Sequence, residues 1–242
     1  MHTSRASIVF VCSALALACA HASGDRDTGS ASDSSGSSGS PLAVAPEADA
    51  AAALATLERR LQAADHVEFR YAIESEGEVD SQLEGTMTWT RGGAIELLAT
   101  GEFAGVAQEL ALRGDAEQLA ALASGEPHWT GARPEALIEA VALGFTRQGL
   151  LHNLAMLTAG QPPDHAEGGA DAWLGVVDPT LSTDEDGRQA IAFRITVEGQ
   201  DVGDATLVLD AEGLPVERRQ TVNFPEGQMR VIERYADVSV GE

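Results

Sequence analysis

Two adjacent polar residues in the middle of the chain have side chains that could take part in catalysis. His152 and Asn153 lie in a segment with helical periodicity, where they could orient a water molecule or a substrate. No Gly-x-Ser-x-Gly, Walker, dinucleotide-binding or His-Glu-x-x-His motif accompanies them. A helix histidine that bonds a polar neighbour is therefore favoured over a hydrolase using His152 and nearby carboxylates, and we expect no catalytic residues.

Two acidic segments partly match metal-binding loops. The first, at 164–171, surrounds one histidine with carboxylates but has no second histidine at a metal-ligand spacing. In the second, at 182–187, the twelfth position of a calcium loop would be Phe193 where a bidentate Glu is required. The sequence therefore predicts a solvated connector at the first segment and an acidic β-turn at the second, with no metal and no cofactor.

The charge of the chain excludes several classes of partner. The 242 residues include 15 basic and 38 acidic side chains, which gives a formal net charge of −23, and every basic residue is Arg. So acidic a surface repels the phosphate backbone of nucleic acids and the anionic headgroups of a membrane. We therefore expect no nucleic-acid partner and no attachment to a membrane by charge alone.

The N-terminus has the pattern of an export signal that ends at a cysteine. Residues 8–18 form an apolar core that follows Arg5 and is too short to span a bilayer. The sequence Leu-Ala-Leu-Ala-Cys at 15–19 resembles a bacterial lipobox, in which Cys19 becomes the lipid-bearing first residue. Residues 1–18 are thus predicted to be a lipoprotein-type signal peptide, and Cys19 to carry diacylglycerol and a fatty acid such as palmitate.

A second cleavage site remains open. Ala20-His21-Ala22 fits ordinary signal peptidase cleavage before Ser23, which would leave a soluble periplasmic protein. Either cleavage removes Cys12, so the mature chain has no intramolecular disulfide. Residues 19–47 read as a flexible Ser-, Gly-, Ala- and Pro-rich tether with a root-mean-square span of about 30 Å. Ala20, which is no Asp-type retention signal, favours the outer membrane.

Residues 48–242 are predicted to form one domain. Helical spacing of leucines predicts a helix over 48–64, and alternation of apolar and polar residues predicts four strands between 67 and 113. Pro134 to Gly160 is predicted to be helical, with a break or kink at Gly144 and Gly149 that would give either two helices or one, and five further strands follow. This order predicts an α+β fold: a single curved antiparallel sheet of about nine or more strands, a half-barrel, with helices on its concave face.

This pattern resembles the LolA/LolB-like superfamily of bacterial lipoprotein carriers and receptors over residues 50–240. The resemblance rests on the order of the elements and on the phrase Leu-Val-Leu-Asp-Ala-Glu-Gly-Leu-Pro-Val at 207–216, a strand, an acidic Gly turn and the start of the next strand. It implies an open half-barrel whose concave apolar face, covered by helices, holds lipid acyl chains.

Two structural outcomes are compatible with a curved sheet that has one apolar face. Its helices could leave a hydrophobic ligand cavity, lined by inward-facing residues, or could fill the concavity and form a dry core. The first outcome predicts a non-catalytic, monomeric lipoprotein that binds a lipid or a lipoprotein acyl chain. The second predicts an envelope scaffold or protein-interaction module. The predicted cavity residues are Phe69, Tyr71, Leu83, Met87, Trp89, Leu97, Phe103, Leu137, Val141 and Phe145.

The arginines of the C-terminal strands have a simpler interpretation. Four arginines lie on predicted strands of this strongly acidic chain: Arg218, Arg219, Arg230 and Arg234. Cross-strand ion pairs with acidic neighbours account for all four.

Overall fold

The structure, a computed structural model, describes residues 46–158 and 173–241 of the chain. The predicted signal peptide at 1–18, Cys19, nearly all of the predicted tether at 19–47, and the connector at 164–171 lie outside the described residues. Among the described residues, no helix is long and apolar enough to cross a membrane.

Three α-helices and eleven strands make up the described fold. The helices are α1 (Pro46–Ala63), α2 (Leu137–Leu143) and α3 (Leu150–Thr158), and a π-helical turn, Gly144–Gln148, lies between α2 and α3. The strands of the first half are β1 (His66–Gly77), β2 (Ser81–Thr90), β3 (Ile95–Phe103), β4 (Val106–Gly114), β5 (Gln118–Ala123) and β6 (Glu126–Ala132). Those of the second half are β7 (Leu174–Thr183), β8 (Gln189–Val197), β9 (Gln200–Leu209), β10 (Pro215–Asn223) and β11 (Gln228–Gly241).

All eleven strands form one antiparallel sheet in the order β6-β5-β4-β3-β2-β1-β11-β10-β9-β8-β7. Each half is a meander, and the two meanders join where β1 pairs with β11, from His66 opposite Gly241 to Gly77 opposite Met229. Among the described strands, β6 and β7 are the two edges and do not pair with each other, so the sheet is open. The segment that contains α2 and α3 connects these two edges.

Tight turns and glycines give the sheet its twist and bend. Three hairpins turn at Ala104-Gly105, Ser124-Gly125 and Glu198-Gly199, and both residues of each pair have positive φ. This geometry, typical of type I′ turns, matches the right-handed twist of the flanking strands. Within strands, Gly101 and Gly203 also have positive φ, and a Cβ at Gly203 would lie 1.9 Å from the carbonyl oxygen of Thr221. Such glycines inside strands bend a sheet.

One face of the sheet, hereafter the inner face, packs against the helices. In β1, Val67, Phe69, Tyr71 and Ile73 are buried and alternate with more exposed residues. The buried leucines of α1 belong to the same core cluster as these residues and as the apolar side chains of α2 and α3. The α+β fold predicted from the sequence, a single antiparallel sheet with helices on one face, is therefore confirmed.

Two strands were not predicted from the sequence, which indicated four strands before the helical segment at 134–160. The structure adds β5 and β6 between 118 and 132. Strand β5 has three alanines, at 120, 121 and 123, and alanine favours helix, so the local preference is overridden by pairing with β4. The Ser124-Gly125 turn is the local signal for this hairpin.

The predicted break in the helical middle is confirmed. Gly149, with φ of 89°, separates the π-helical turn from α3 and donates its backbone N–H to the carbonyl of Gly144 at 2.6 Å. Gly144 lies against Asn153, since an added Cβ would come within 2.6 Å of the Asn153 amide nitrogen. The helical segment therefore consists of short pieces joined at a glycine hinge.

Candidate functional site

The ten residues predicted to line a cavity all lie in the interior. Each of them is buried, with no more than 3% of its surface exposed, and all belong to one core cluster. Seven come from the inner faces of β1, β2 and β3, and three come from α2 and the π-helical turn. The sequence therefore identified the layer between sheet and helices correctly, while the ligand-binding role of these residues remains a prediction.

An aromatic cluster closes the centre of this layer. The rings of Phe69 and Phe145 stack with centroids 4.6 Å apart, and Tyr235 of β11 packs edge-on against Phe145 at 4.8 Å. Trp89 lies 6.3 Å from Phe69 at an interplanar angle of 90°. These arrangements are those that aromatic pairs prefer, so the helical segment and the sheet fit closely at this point.

Two charged residues interrupt the apolar inner face. Arg218 of β10 and Glu233 of β11 are direct partners across the two strands, and neither has any exposed surface. A buried charge is tolerated only when opposite charge or hydrogen bonds replace its lost hydration. The contacts of this pair therefore indicate what fixes the helices to the sheet.

The Glu233 carboxylate caps α3. Its Oε2 accepts the backbone N–H of Leu150 at 2.9 Å, and its Oε1 accepts that of Leu151 at 3.0 Å. These are N–H groups of the first helical turn, which lack partners within the helix and carry the positive end of its dipole. Gly149 permits the close approach, because a Cβ there would lie 2.7 Å from Glu233 Oε1. The central strand β11 thus holds the start of α3.

Arg218 holds the adjoining π-helical turn. Its guanidinium donates to the carbonyl oxygen of Arg147 and to the side-chain oxygen of Gln220, the latter at 2.5 Å. Burial lowers the pKa of Arg218, and the charge of Glu233 opposes that shift. Within the described part of the chain, Nε of Arg218 has no hydrogen-bond acceptor. Glu233 therefore bonds the start of α3, after Gly149, and Arg218 bonds the π-helical turn before it.

A buried ion pair ties α1 to the same turn. Arg147 donates from Nε and Nη2 to the two carboxylate oxygens of Glu58, at 2.7 and 2.8 Å, and from Nη1 to the carbonyl of Leu174 at 2.7 Å. Thr146 donates to Glu58 Oε1 at 3.1 Å. Bidentate pairs of this kind fix orientation as well as distance. We call Glu58, Arg147, Arg218 and Glu233 the polar seam.

The prediction of a cross-strand acidic partner holds for Arg218, which lies opposite Glu233, but this pair of charges is fully buried and is not a solvated pair at the surface. Arg234 of β11 pairs across the strands with Glu74 of β1 on the outer face at 2.9 Å, as predicted. Arg219 pairs with Glu217 of its own strand at 2.5 Å, so the cross-strand prediction was wrong for Arg219. Arg218 instead points inward because it alternates with Arg219 along β10. Glu233 has the same alternation phase as Met229, Val231 and Tyr235, and this phase was the sequence signal for its burial.

The other residues with potential chemistry have structural contacts. His152 is half-buried on α3, with its ring 6.1 Å from that of Trp173. Asp184 accepts the backbone N–H groups of Asp186 and Arg188, at 3.0 and 2.8 Å, which forms the predicted acidic turn.

Replacement of Glu233 tests whether the polar seam stabilises the fold. Glu233→Gln removes the charge that compensates Arg218, and breaking a buried pair on one side costs about 3–5 kcal/mol. Glu74→Gln is the matched control, since its exposed pair with Arg234 is worth about 1 kcal/mol or less. The free energies of unfolding from urea denaturation are compared. Equal losses in the two variants would contradict the structural role of the seam.

Alkaline titration tests the burial of the two tyrosines, Tyr71 and Tyr235, which are all that the chain contains. Burial, assisted by the charge of Glu233, raises the pKa of both phenols. A raised folded pKa contributes stability below the unfolded value of about 10, and this stability is lost as pH rises above it. Tyrosinate absorbance should therefore appear only together with unfolding. Tyrosinate formation near pH 10 in a folded chain would refute this burial.

Known proteins that are similar to this chain were found by comparison of structures. No protein-family model matches the chain, and no curated protein does. A chain of the MucA/MucB complex of Pseudomonas aeruginosa matches with a TM-score of 0.39 and 18% identity, over 80% of this chain and 58% of that one. This chain therefore spans under two thirds of that protein's length.

Two further solved structures match over most of their own length. A DUF1329 family protein from Desulfovibrio piger has a TM-score of 0.30 and 6% identity, over 81% of this chain and 93% of that one. A LolA superfamily protein from Nitrosomonas europaea has a TM-score of 0.33 and 9% identity, over 80% of this chain and 94% of that one.

Proposed function

We propose that this protein is a cell-envelope lipoprotein that binds a hydrophobic ligand, a lipid or a lipoprotein acyl chain, between the sheet and its helices. One observation carries the proposal: a broad apolar inner face is covered by a helical segment that is short, broken at Gly149 and fixed by a few polar contacts. The acyl chain would lie among the ten predicted cavity residues. The protein would act without catalysis.

The structure of the helical segment from α2 to α3, hereafter the cover, supports this proposal. Helix α2 has seven residues and α3 has nine, so neither is stable alone and each depends on its contacts with the rest of the fold. The hydrogen bonds to Glu233 and Arg218 lie at the hinge, while apolar residues cover the sheet on both sides of it. Apolar contacts are non-directional, and an acyl chain can replace them. A movement at Gly149 would therefore exchange protein contacts for ligand contacts.

A scaffold or protein-interaction module without a ligand is the second candidate. The stacking of Phe69 on Phe145 at 4.6 Å favours it, because the centre of the interior is filled by side chains. A filled core would make the acidic outer surface the functional part of the molecule.

Native mass spectrometry with palmitate distinguishes the two candidates. The chain with Cys19→Ser, exported behind a signal peptide that is removed before residue 19, is purified without detergent. We expect adducts of acyl-chain mass that organic extraction removes and added palmitate or lipopeptide restores. A chain that carries no adduct as purified, after addition of palmitate and after addition of lipopeptide would favour the scaffold.

Two alanine positions on opposite faces provide matched variants for this experiment. Ala99 of β3 is buried on the inner face, whereas Ala111 of β4 lies on the outer face opposite Leu98. Ala99→Phe fills inner space and should reduce palmitate binding, at a cost in stability of about 1–3 kcal/mol. Ala111→Phe should leave binding unchanged. Equal binding by both variants would place the ligand elsewhere.

We further propose that Cys19 is acylated and anchors the chain, with the outer membrane as its location. The absence of lysine permits a direct test, because the α-amino group is then the single primary amine of the mature chain. Protein extracted from membranes should carry a mass increment of acyl chains on a chain that begins at Cys19. An amide-linked acyl group would also block amine-reactive labelling. A soluble chain that begins at Ser23 and takes one label would contradict the anchor.

A further inference from the structure

A cleft opens at one end of the sheet, apart from the apolar interior. It has a volume of about 380 Å³ and lies where the end of α1, the β2–β3 turn, the β4–β5 turn and the segment before α2 converge. The strand register brings these turns together, since Ile95 pairs with Gly114 and Gln118 pairs with Ala132. The volume is in the range of small-molecule sites, which is about 300–1,000 Å³.

Arg133 is fixed at the wall of this cleft with donors to spare. Its Nη1 donates to the carbonyl of Asp115 at 2.5 Å and to that of Gly93, which links the two turns. Within the described chain, no acceptor bonds its Nε or Nη2. A guanidinium held in place on one side and open on the other is suited to an anionic oxygen group, because little rotamer freedom is lost on binding.

A second arginine and two carboxylates line the same cleft. Arg91 is largely exposed, with its Nε 3.6 Å from Asp65. Glu135 and Glu139 lie four residues apart at the start of the α2 segment. Among the described residues, Glu135 and Glu139 form no ion pair with Arg91 or Arg133, and the one acidic partner of Arg91 is Asp65. Charges of both signs thus face one cleft, and a ligand anion would share Arg91 with the exposed carboxylate of Asp65.

The cleft also has an uncharged wall. Gln62 at the end of α1 supplies an amide that can donate or accept, and Ile138 supplies a half-buried apolar side chain. Such a combination of polar and apolar groups suits a small ester better than an inorganic ion.

We propose that this cleft binds a phosphoethanolamine group, with its phosphate on Arg133 and Arg91 and its ammonium on Glu135 and Glu139. A group that carries both charges satisfies all four side chains, whereas a simple anion would be repelled by the two carboxylates. The same chemistry occurs in the headgroup of phosphatidylethanolamine and in soluble phosphoethanolamine esters. The proposal is independent of acyl-chain binding in the interior.

The full chain with Cys19→Ser is titrated calorimetrically with three soluble probes. Glycerophosphoethanolamine carries both charges, glycerol phosphate only the anion, and ethanolamine only the cation. We expect one site that binds glycerophosphoethanolamine at least about tenfold more tightly than either of the other probes, as two satisfied charges require. Absence of that preference would overturn the proposal.

Charge-removing variants assign the binding to the cleft. Arg91→Gln should weaken glycerophosphoethanolamine binding about tenfold or more, and Glu139→Gln should weaken it while leaving glycerol phosphate binding unchanged or stronger. Arg113→Gln is the control, because it removes the same charge from the outer face of β4, where Arg113 pairs with Glu96. Arg91 bridges no turns through its side chain, so this variant should fold. Unchanged binding in Arg91→Gln and Glu139→Gln would overturn the proposal.

Two further experiments identify the ligand and distinguish the binding sites. Competition by nanodiscs tells a lipid headgroup from a soluble ester, and palmitate tells the cleft from the apolar interior. Nanodiscs of phosphatidylethanolamine should compete with the soluble probe if the ligand is a lipid headgroup, and nanodiscs of phosphatidylglycerol should not. Binding of the soluble ester without competition by either lipid supports the cleft and assigns it to a soluble ligand. Palmitate should leave the glycerophosphoethanolamine site open. Failure of the soluble probe refutes the cleft, whereas failure of palmitate refutes only the interior site.

Discussion

Two opposite charges that no water reaches, Arg218 and Glu233, lie side by side on the inner face of the sheet. In an apolar interior such charges must find partners within the protein, and Glu233 finds two in the backbone N–H groups that begin α3. The helix in turn gains the cap that its first turn requires. The position of α3, the hinge at Gly149 and the approach of the π-helical turn all follow from this one requirement.

The seam connects the parts of the fold that the chain order keeps apart. Glu233 lies on β11, the strand at which the two meanders join, and Arg147 extends the contacts to Glu58 of α1 and to the start of β7. Around these few directional bonds, the contacts between helices and sheet are apolar. The proposed binding of an acyl chain requires that this helical segment can separate from the sheet along its length while the directional bonds keep its orientation.

The sequence was informative where the period of the pattern decides the structure. Alternation in β1 and β2 placed Phe69, Met87 and Trp89 inward, and glycines marked the break in the helical middle. It failed at β5 and β6, where alanines give no contrast between faces and pairing with β4 decides the conformation. It also missed the burial of Arg218, whose charge suggested the surface although its alternation phase is the buried one, and it did not single out Glu233. Alternation sets the direction of a side chain and not the separation of two layers.

Native-state hydrogen exchange tests most directly whether the helices can separate from the sheet without global unfolding. The backbone N–H groups of Leu150 and Leu151, which bond Glu233, are compared with that of Tyr71 in the central strand β1, at increasing concentrations of urea. A separable cover predicts that the two α3 amides exchange through a local opening, with a lower free energy and a weaker urea dependence than Tyr71. Exchange of all three amides only through global unfolding would mean that helices and sheet are one inseparable core, and would contradict ligand binding between them.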